Sequence, residues 1–128
     1  SIYPPHLDVP GVPALRIALE EGGYDEVMAA ASAIERGHPG LIWPEAELND
    51  WGYRLLSTGR PRDALQVFLL PADRYSDSGN AHDSLAQALL ANGDDGGAAD
   101  HYARAVALDP ANTSAARHLA ELRAGPPR

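Results

Sequence analysis

Three neighbouring residues, His82, Asp83 and Ser84, are the residue types of a nucleophilic relay. In such a relay a carboxylate orients an imidazole that takes the proton of an attacking hydroxyl, and the three groups must meet in space. Consecutive helical residues point about 100° apart, so this run cannot assemble a relay from itself. His82 falls instead where a side chain packs between helices. Metal chemistry needs convergent ligands. His6, His38, His82, His101 and His118 show no His-x-x-x-His spacing on one helical face. His118 with Glu121 is an isolated i, i+3 pair and reads as a solvated contact. Asp94-Asp95-Gly96-Gly97 lacks the spaced oxygen ligands and terminal Glu of a calcium loop. It reads as a turn that places an acid at a helix N-terminus. Neither Ser-x-x-Lys nor Gly-x-Ser-x-Gly occurs. The sequence therefore offers no catalytic residue, no metal site and no cofactor site.

The elements that carry these residues repeat. Leu48, Trp51, Gly52 and Leu55 are echoed by His82, Leu85, Ala86 and Leu89, and Gly59, Ala64 and Phe68 by Gly93, Ala98 and Tyr102, always 34 positions on. Leu48, Trp51, Leu55 and Leu56 lie on one helical face. Gly52 and Ala86 are small where a neighbouring helix must approach closely. Gly59 and Gly93 end the first helix of each unit, and Pro61 opens the next helix, where its missing N–H costs nothing. Ala64, Val67 and Phe68 form an inward stripe, as do Ala98, Tyr102, Ala105 and Val106. Asp109-Pro110 closes the second unit.

This order of large, small, glycine, alanine, aromatic and proline positions resembles the tetratricopeptide repeat, a helix–turn–helix unit of 34 residues. The units span 45–78 and 79–112, together 68 of 128 residues. Pro71 stands where the repeat has a small helical residue, and Ser76 where it has proline. An interior proline costs a helix roughly 3 kcal/mol, so the helix from Arg62 is expected to kink or end near Leu70. Upstream, Val12–Glu21 and Asp25–Arg36 read as helices split by Gly22-Gly23, a degenerate pair whose connector reaches residue 44. Placing Gly22 on the repeat's glycine gives an offset of 37 to Gly59. Downstream, Asn112-Thr113 begins a capping helix that runs to about Arg123, followed by a short tail to 128. The resemblance implies an all-α, right-handed superhelix of antiparallel helix pairs, about seven helices in all. Residues 1–10, with Tyr3-Pro4-Pro5-His6-Leu7, read as an extended proline-rich arm or linker.

The phrases Glu45–Leu56, Asp77–Leu85 and Asp109-Pro110-Ala111-Asn112 also resemble the C-terminal helical-repeat region of some bacterial serine hydrolases, of beta-lactamase-like and esterase type. That likeness spans roughly 45–122 and carries over no catalytic residue. It implies an appended module or an independent relative of one.

In tetratricopeptide repeats the first helix of each unit lines a concave groove. Residue by residue, the resemblance assigns Asn49, Asp50 and Tyr53 to it, then Asn80, Asp83, Ser84 and Gln87, and from the last helix Arg117, His118 and Glu121. A carboxylate clamp would need cations here, and only Arg117 is one. Two readings stand for Asn49, Asn80 and Asp83: contact with a partner, or internal bonding, with Asn80 capping its helix and Asp83 completing the cap. Trp51 belongs to the core stripe. Trp43, in a proline-flanked connector, either plugs the joint before the repeats or faces a partner.

Composition narrows the partners. The net charge is −8, and the ten cations are all arginine, scattered among eighteen acids. A nucleic-acid surface needs a basic stripe, so nucleic acid and anionic membrane surfaces are disfavoured. The acidity reads either as solubility or as an acidic groove for a basic peptide. No apolar run approaches the ~20 residues of a membrane span. There are no cysteines, which excludes disulfides. The sequence thus describes a soluble, non-catalytic interaction module for a protein or peptide, the partner including a tethered catalytic domain. A self-associating scaffold is the first alternative, and a small-ligand protein or enzyme using Trp43, Tyr53 and His82 the second.

Overall fold

The computed structural model describes residues 11–125, and the arm at 1–10 lies outside the described residues. Seven α-helices and one 3-10 turn follow in order: α1 Val12–Gly22, the turn Tyr24–Glu26, α2 Val27–Gly37, α3 Glu45–Ser57, α4 Pro61–Arg74, α5 Gly79–Ala91, α6 Asp95–Leu108 and α7 Thr113–Ala124. From α3 onward each helix packs chiefly on its neighbours in sequence, with α3 also against α5, whereas α2 packs on α1 and α4. The architecture is an all-α, tetratricopeptide-like helical repeat.

The two regular pairs end their first helices identically. Arg60 N–H donates to Leu55 O at 2.8 Å and Gly59 N–H to Leu56 O at 3.2 Å; 34 residues later Asp94 reaches Leu89 O at 2.9 Å and Gly93 reaches Leu90 O at 3.0 Å. Such a cap requires left-handed backbone at its glycine, and φ is +78° at Gly59 and +82° at Gly93. Apolar stripes then face inward: Leu48, Trp51 and Leu55 from α3, and Ala64, Val67 and Phe68 from α4. A Cβ on Gly52 would sit 2.4 Å from the Phe68 ring, so this glycine is a packing requirement.

Three sequence expectations need correction. First, α4 does not end near Leu70 and continues through Pro71 to Arg74. Leu70, Pro71 and Ala72 are buried, Tyr75 N–H closes the helix on Pro71 O at 2.8 Å, and Arg74 is held from α2. Tertiary contacts on both sides of the proline outweigh its intrinsic cost. Second, the turn glycine of the first pair is Gly23, with φ +97°, one place beyond Gly22. The offset to Gly59 is therefore 36. Third, the cap of α5 is Ser78, whose hydroxyl accepts Ala81 N–H at 3.1 Å. Asn80 lies inside the first turn, exposed.

The irregular pair is fastened to the repeats by a polar clasp. Arg74 donates to Glu35 at 2.7 and 3.0 Å, and the indole N–H of Trp43 reaches the same carboxylate at 3.1 Å. Tyr75 donates to the Trp43 carbonyl. Trp43 is 3% exposed, so it plugs this joint. On the far side, Arg60 lies 5.0 Å over the Tyr24 ring and 3.4 Å from Glu20. The core divides accordingly. A large cluster around Trp43, Trp51 and Phe68 spans α1 to α5, whereas α6 and α7 close over a smaller one built from alanines, Tyr102 and Leu119.

Gly52→Ala is expected to destabilise. Overpacking of this kind costs about 1–3 kcal/mol, more than the ~1 kcal/mol alanine gains over glycine in a helix. Urea unfolding measures the balance, and a variant as stable as the parent would refute the contact. The Arg74 fork, helped by Trp43, holds the Glu35 carboxyl below its ordinary range against a desolvation that pushes it up. The stability it contributes is complete above the ordinary carboxylate value and lost as pH falls through the lowered one. Glu35→Gln should therefore lose less unfolding free energy than the parent between about pH 5.5 and about pH 3.

Candidate functional site

Successive first helices α3 and α5 lie side by side, so equivalent positions of the two units become neighbours across one face. Tyr53 and Gln87, 34 apart, are joined directly, Gln87 Nε2 donating to Tyr53 Oη at 2.8 Å. Ser84, 1% exposed, donates to Asn49 Oδ1 and lies 3.2 Å from Tyr53 Oη. A serine hydroxyl has one proton. With that proton committed to Asn49, the tyrosine hydroxyl is the donor to Ser84. The bonds then run in one direction: Gln87 amide to Tyr53, Tyr53 to Ser84, Ser84 to Asn49. Asp83 accepts from Gln87 at 3.4 Å and from Asn112 Nδ2 at 3.0 Å, while Asn112 Oδ1 caps α7 through Ala115 N–H at 3.0 Å.

Of the ten residues assigned to the groove, Asn49, Tyr53, Asp83, Ser84 and Gln87 thus meet in one network. Asp50 and Asn80 are exposed and form no side-chain hydrogen bond among the described residues. Arg117 and Glu121 form a surface pair at 3.9 Å. His118 stacks on Tyr102 at 5.2 Å, and with Glu121, Leu90 and Asp95 it lines a separate cavity of about 340 Å³. Asn112 is the member that sequence reading missed. Its place at a repeat end signalled the α7 cap, but not its second contact, to Asp83.

Burial, reinforced by Asp83, raises the Tyr53 hydroxyl above its ordinary value, although the Gln87 N–H it accepts pulls the other way. Tyr102 is pushed up to about 12 by burial, with Asp83, Tyr53 and Glu121 adding to it. Both phenols remain neutral. They differ in partners, because the buried Tyr102 hydroxyl meets none among the described residues.

The opposite side of α5 carries a second constellation. His82, 4% exposed, places Nε2 2.8 Å from Ser76 O and Nδ1 3.0 Å from His101 Nδ1. The rings are 5.2 Å apart and 18° from parallel. That separation is the nitrogen–nitrogen distance plus two ring radii, so the imidazoles meet edge to edge. A carbonyl only accepts, which assigns the His82 proton to Nε2 and makes His101 Nδ1 the donor between the rings. Beside them opens a cleft between α4 and α6, lined by Ala72, Asp73, Ser76, His82, Arg104 and Leu108, of about 500 Å³. Proton uptake by His101 is pushed below the ordinary value first by burial, then by His82 and Arg104, with Asp100 and Asp94 opposing.

His82, Asp83 and Ser84 therefore serve three separate contacts and form no relay. Trp43, Tyr53 and His82 likewise belong to three separate networks. No group of three or more His, Asp or Glu side chains suited to a metal ion occurs among the described residues, and no helix among them is long and apolar enough to cross a membrane.

The two tyrosines make a matched test. Tyr53→Phe removes a bonded hydroxyl and should cost about 0.5–1.5 kcal/mol, whereas Tyr102→Phe removes an unpaired buried one and should be neutral or stabilising. Urea unfolding of both variants decides. Equal losses would mean that the network contributes nothing particular.

Among known families, the tetratricopeptide repeat profile matches residues 79–122, which takes in α5, α6 and most of α7. No curated protein matches the chain.

Proposed function

We propose that this chain is a non-catalytic protein-interaction module whose α3–α5 face receives an extended peptide or a tethered domain. Tetratricopeptide repeats typically bind proteins or peptides and are generally non-catalytic, and the matched segment supplies half of this face. The observation that carries the reading is the set of groups left over once the network is satisfied. Asn49 keeps its amide donors and Gln87 its carbonyl oxygen, while Asp50 and Asn80 stand exposed beside them. These groups come from the first helices of both units, so a bound segment would meet donors and acceptors from α3 and α5 together. The network beneath holds them without help from a ligand, which lowers the ordering cost of binding. Asp50 and Asp83 are the charges of this face, so the favoured segment is neutral or basic.

The tethered partner that this reading admits is a hydrolase domain, proposed on the strength of the tail-like phrases within 45–122. The gene-length reading frame tests that part separately, since a frame with no hydrolase domain removes the proposal of a tethered one.

For the face itself, a partner is first identified by proximity labelling. Asp50→Arg combined with Asn80→Arg should then weaken its binding at least about tenfold, or 1.4 kcal/mol, with the melting midpoint unchanged. Both sites are exposed and unbonded, so the fold is spared. Undiminished affinity would take this face out of the reading.

A further inference from the structure

The edge-to-edge pair of His82 and His101 has room for one added proton and no arrangement for two. In the neutral pair His101 Nδ1–H points at the bare Nδ1 of His82, and His82 Nε2–H at Ser76 O. A first proton is accepted on His101 Nε2 without breaking either bond. A second would set two N–H groups face to face across 3.0 Å, both rings then being cationic. Neighbouring charges do not rescue that state. On α4, Asp73 lines the cleft but is engaged by Arg74. Arg104 on α6 disfavours it, and Asp100 with Asp94, also from α6 and its cap, oppose Arg104 only in part. From α5 itself, Asp83 is turned away towards Gln87 and Asn112. From α2, Met28 lines the adjoining cavity that both rings share, and it carries no charge.

We propose that His82 and His101 form an acid-released latch on the second repeat, holding α5 to α6 and to the α4–α5 turn while the pair carries at most one added proton. The second proton drives the rings apart. A cavity of about 300 Å³ that both rings line, with Met28, Leu69 and Leu85 among its walls, gives the His101 ring a place to swing into. The movement uncovers the contact between α5 and α6, so the unit loosens in mild acid. It does not depend on what the α3–α5 face binds.

Two measurements on the full chain test the latch. In an NMR titration the two imidazoles should behave as one coupled pair, taking up their protons in separate steps. The second step should coincide with loss of the folded amide signals of α5 and α6. In thermal melts from about pH 7.5 to about pH 5, above the carboxylate range, the parent should lose at least about twice as much melting temperature as His101→Gln. A glutamine amide can rotate to donate to neutral His82 or accept from its charged form, so this variant should tolerate acid. His38→Gln should track the parent. Two imidazoles titrating independently near the ordinary value of about 6.5, with folded signals intact at pH 5, would overturn the proposal. So would a His101→Gln variant as acid-sensitive as the parent. Should that variant fail to fold, the titration of the parent decides alone.

Discussion

Phe68 is seated against bare backbone, and much of the array follows from that seat. The ring occupies the space that a Cβ of Gly52 would fill, which sets how closely α4 approaches α3. At that spacing the residues following Phe68 on α4 become core as well, including Pro71. The residue following Gly52 is fixed too. Tyr53 meets Phe68 edge-on, with centroids 5.2 Å apart at 70°, and its hydroxyl is thereby aimed at α5. The bonds to Ser84 and Gln87 cannot form unless that aim is correct. A close-packed contact inside one unit thus positions the polar groups that join it to the next.

What was legible in the residues was whatever depends on short spacing. The caps at Gly59 and Gly93, the stripes of α3 to α6 and the start of α7 at Asn112 each rest on residues a few positions apart, where local stereochemistry decides. The corrections came where distant contacts decide. Pro71 is tolerated because Arg74 and Tyr75 reach across to Glu35 and Trp43, partners 39 and 32 residues away. Ser78 displaces Asn80 as the cap, and it also donates to Glu45 from α3 at 2.6 Å. For the groove, residue types were readable but their mutual bonding was not, since Asn49 meets Ser84 only after two units have stacked. His101 gave no signal at all, because a separation of 19 from His82 corresponds to no helical period.

α5 is the helix on which these arrangements converge. One side spends its polar atoms on α3 and the start of α7, and the other spends His82 on α6 and on the turn before α5. Between them run Leu85, Ala86 and Ala88, all buried. Most buried polar groups are bonded, and both sets meet that condition through fixed proton directions. Fixed directions also make the helix unforgiving, since a change of proton count at one ring has no alternative pattern to adopt. Tyr102 marks the contrast: its hydroxyl is buried but directs nothing.

The division of the core decides where such sensitivity is felt. The cluster beneath α1 to α5 is filled by two tryptophans, a phenylalanine and several leucines, and α1 adds a cation over the Trp51 ring at 5.2 Å. The cluster beneath α6 and α7 depends on Tyr102 and Leu119 amid alanines. Hydrophobic stabilisation follows apolar area at about 25 cal/mol per Å², and an alanine methyl brings little of it. Opening free energies within one fold vary with such local burial. On the side of α6 and α7 the second unit therefore has less apolar area behind it, and directional bonds bear more there: the Asp94 and Asn112 caps, the Asp83–Asn112 contact and the imidazole pair. A structure built that way yields first where a proton can alter a bond, and in this chain that place is the half of the array bearing His82 and His101.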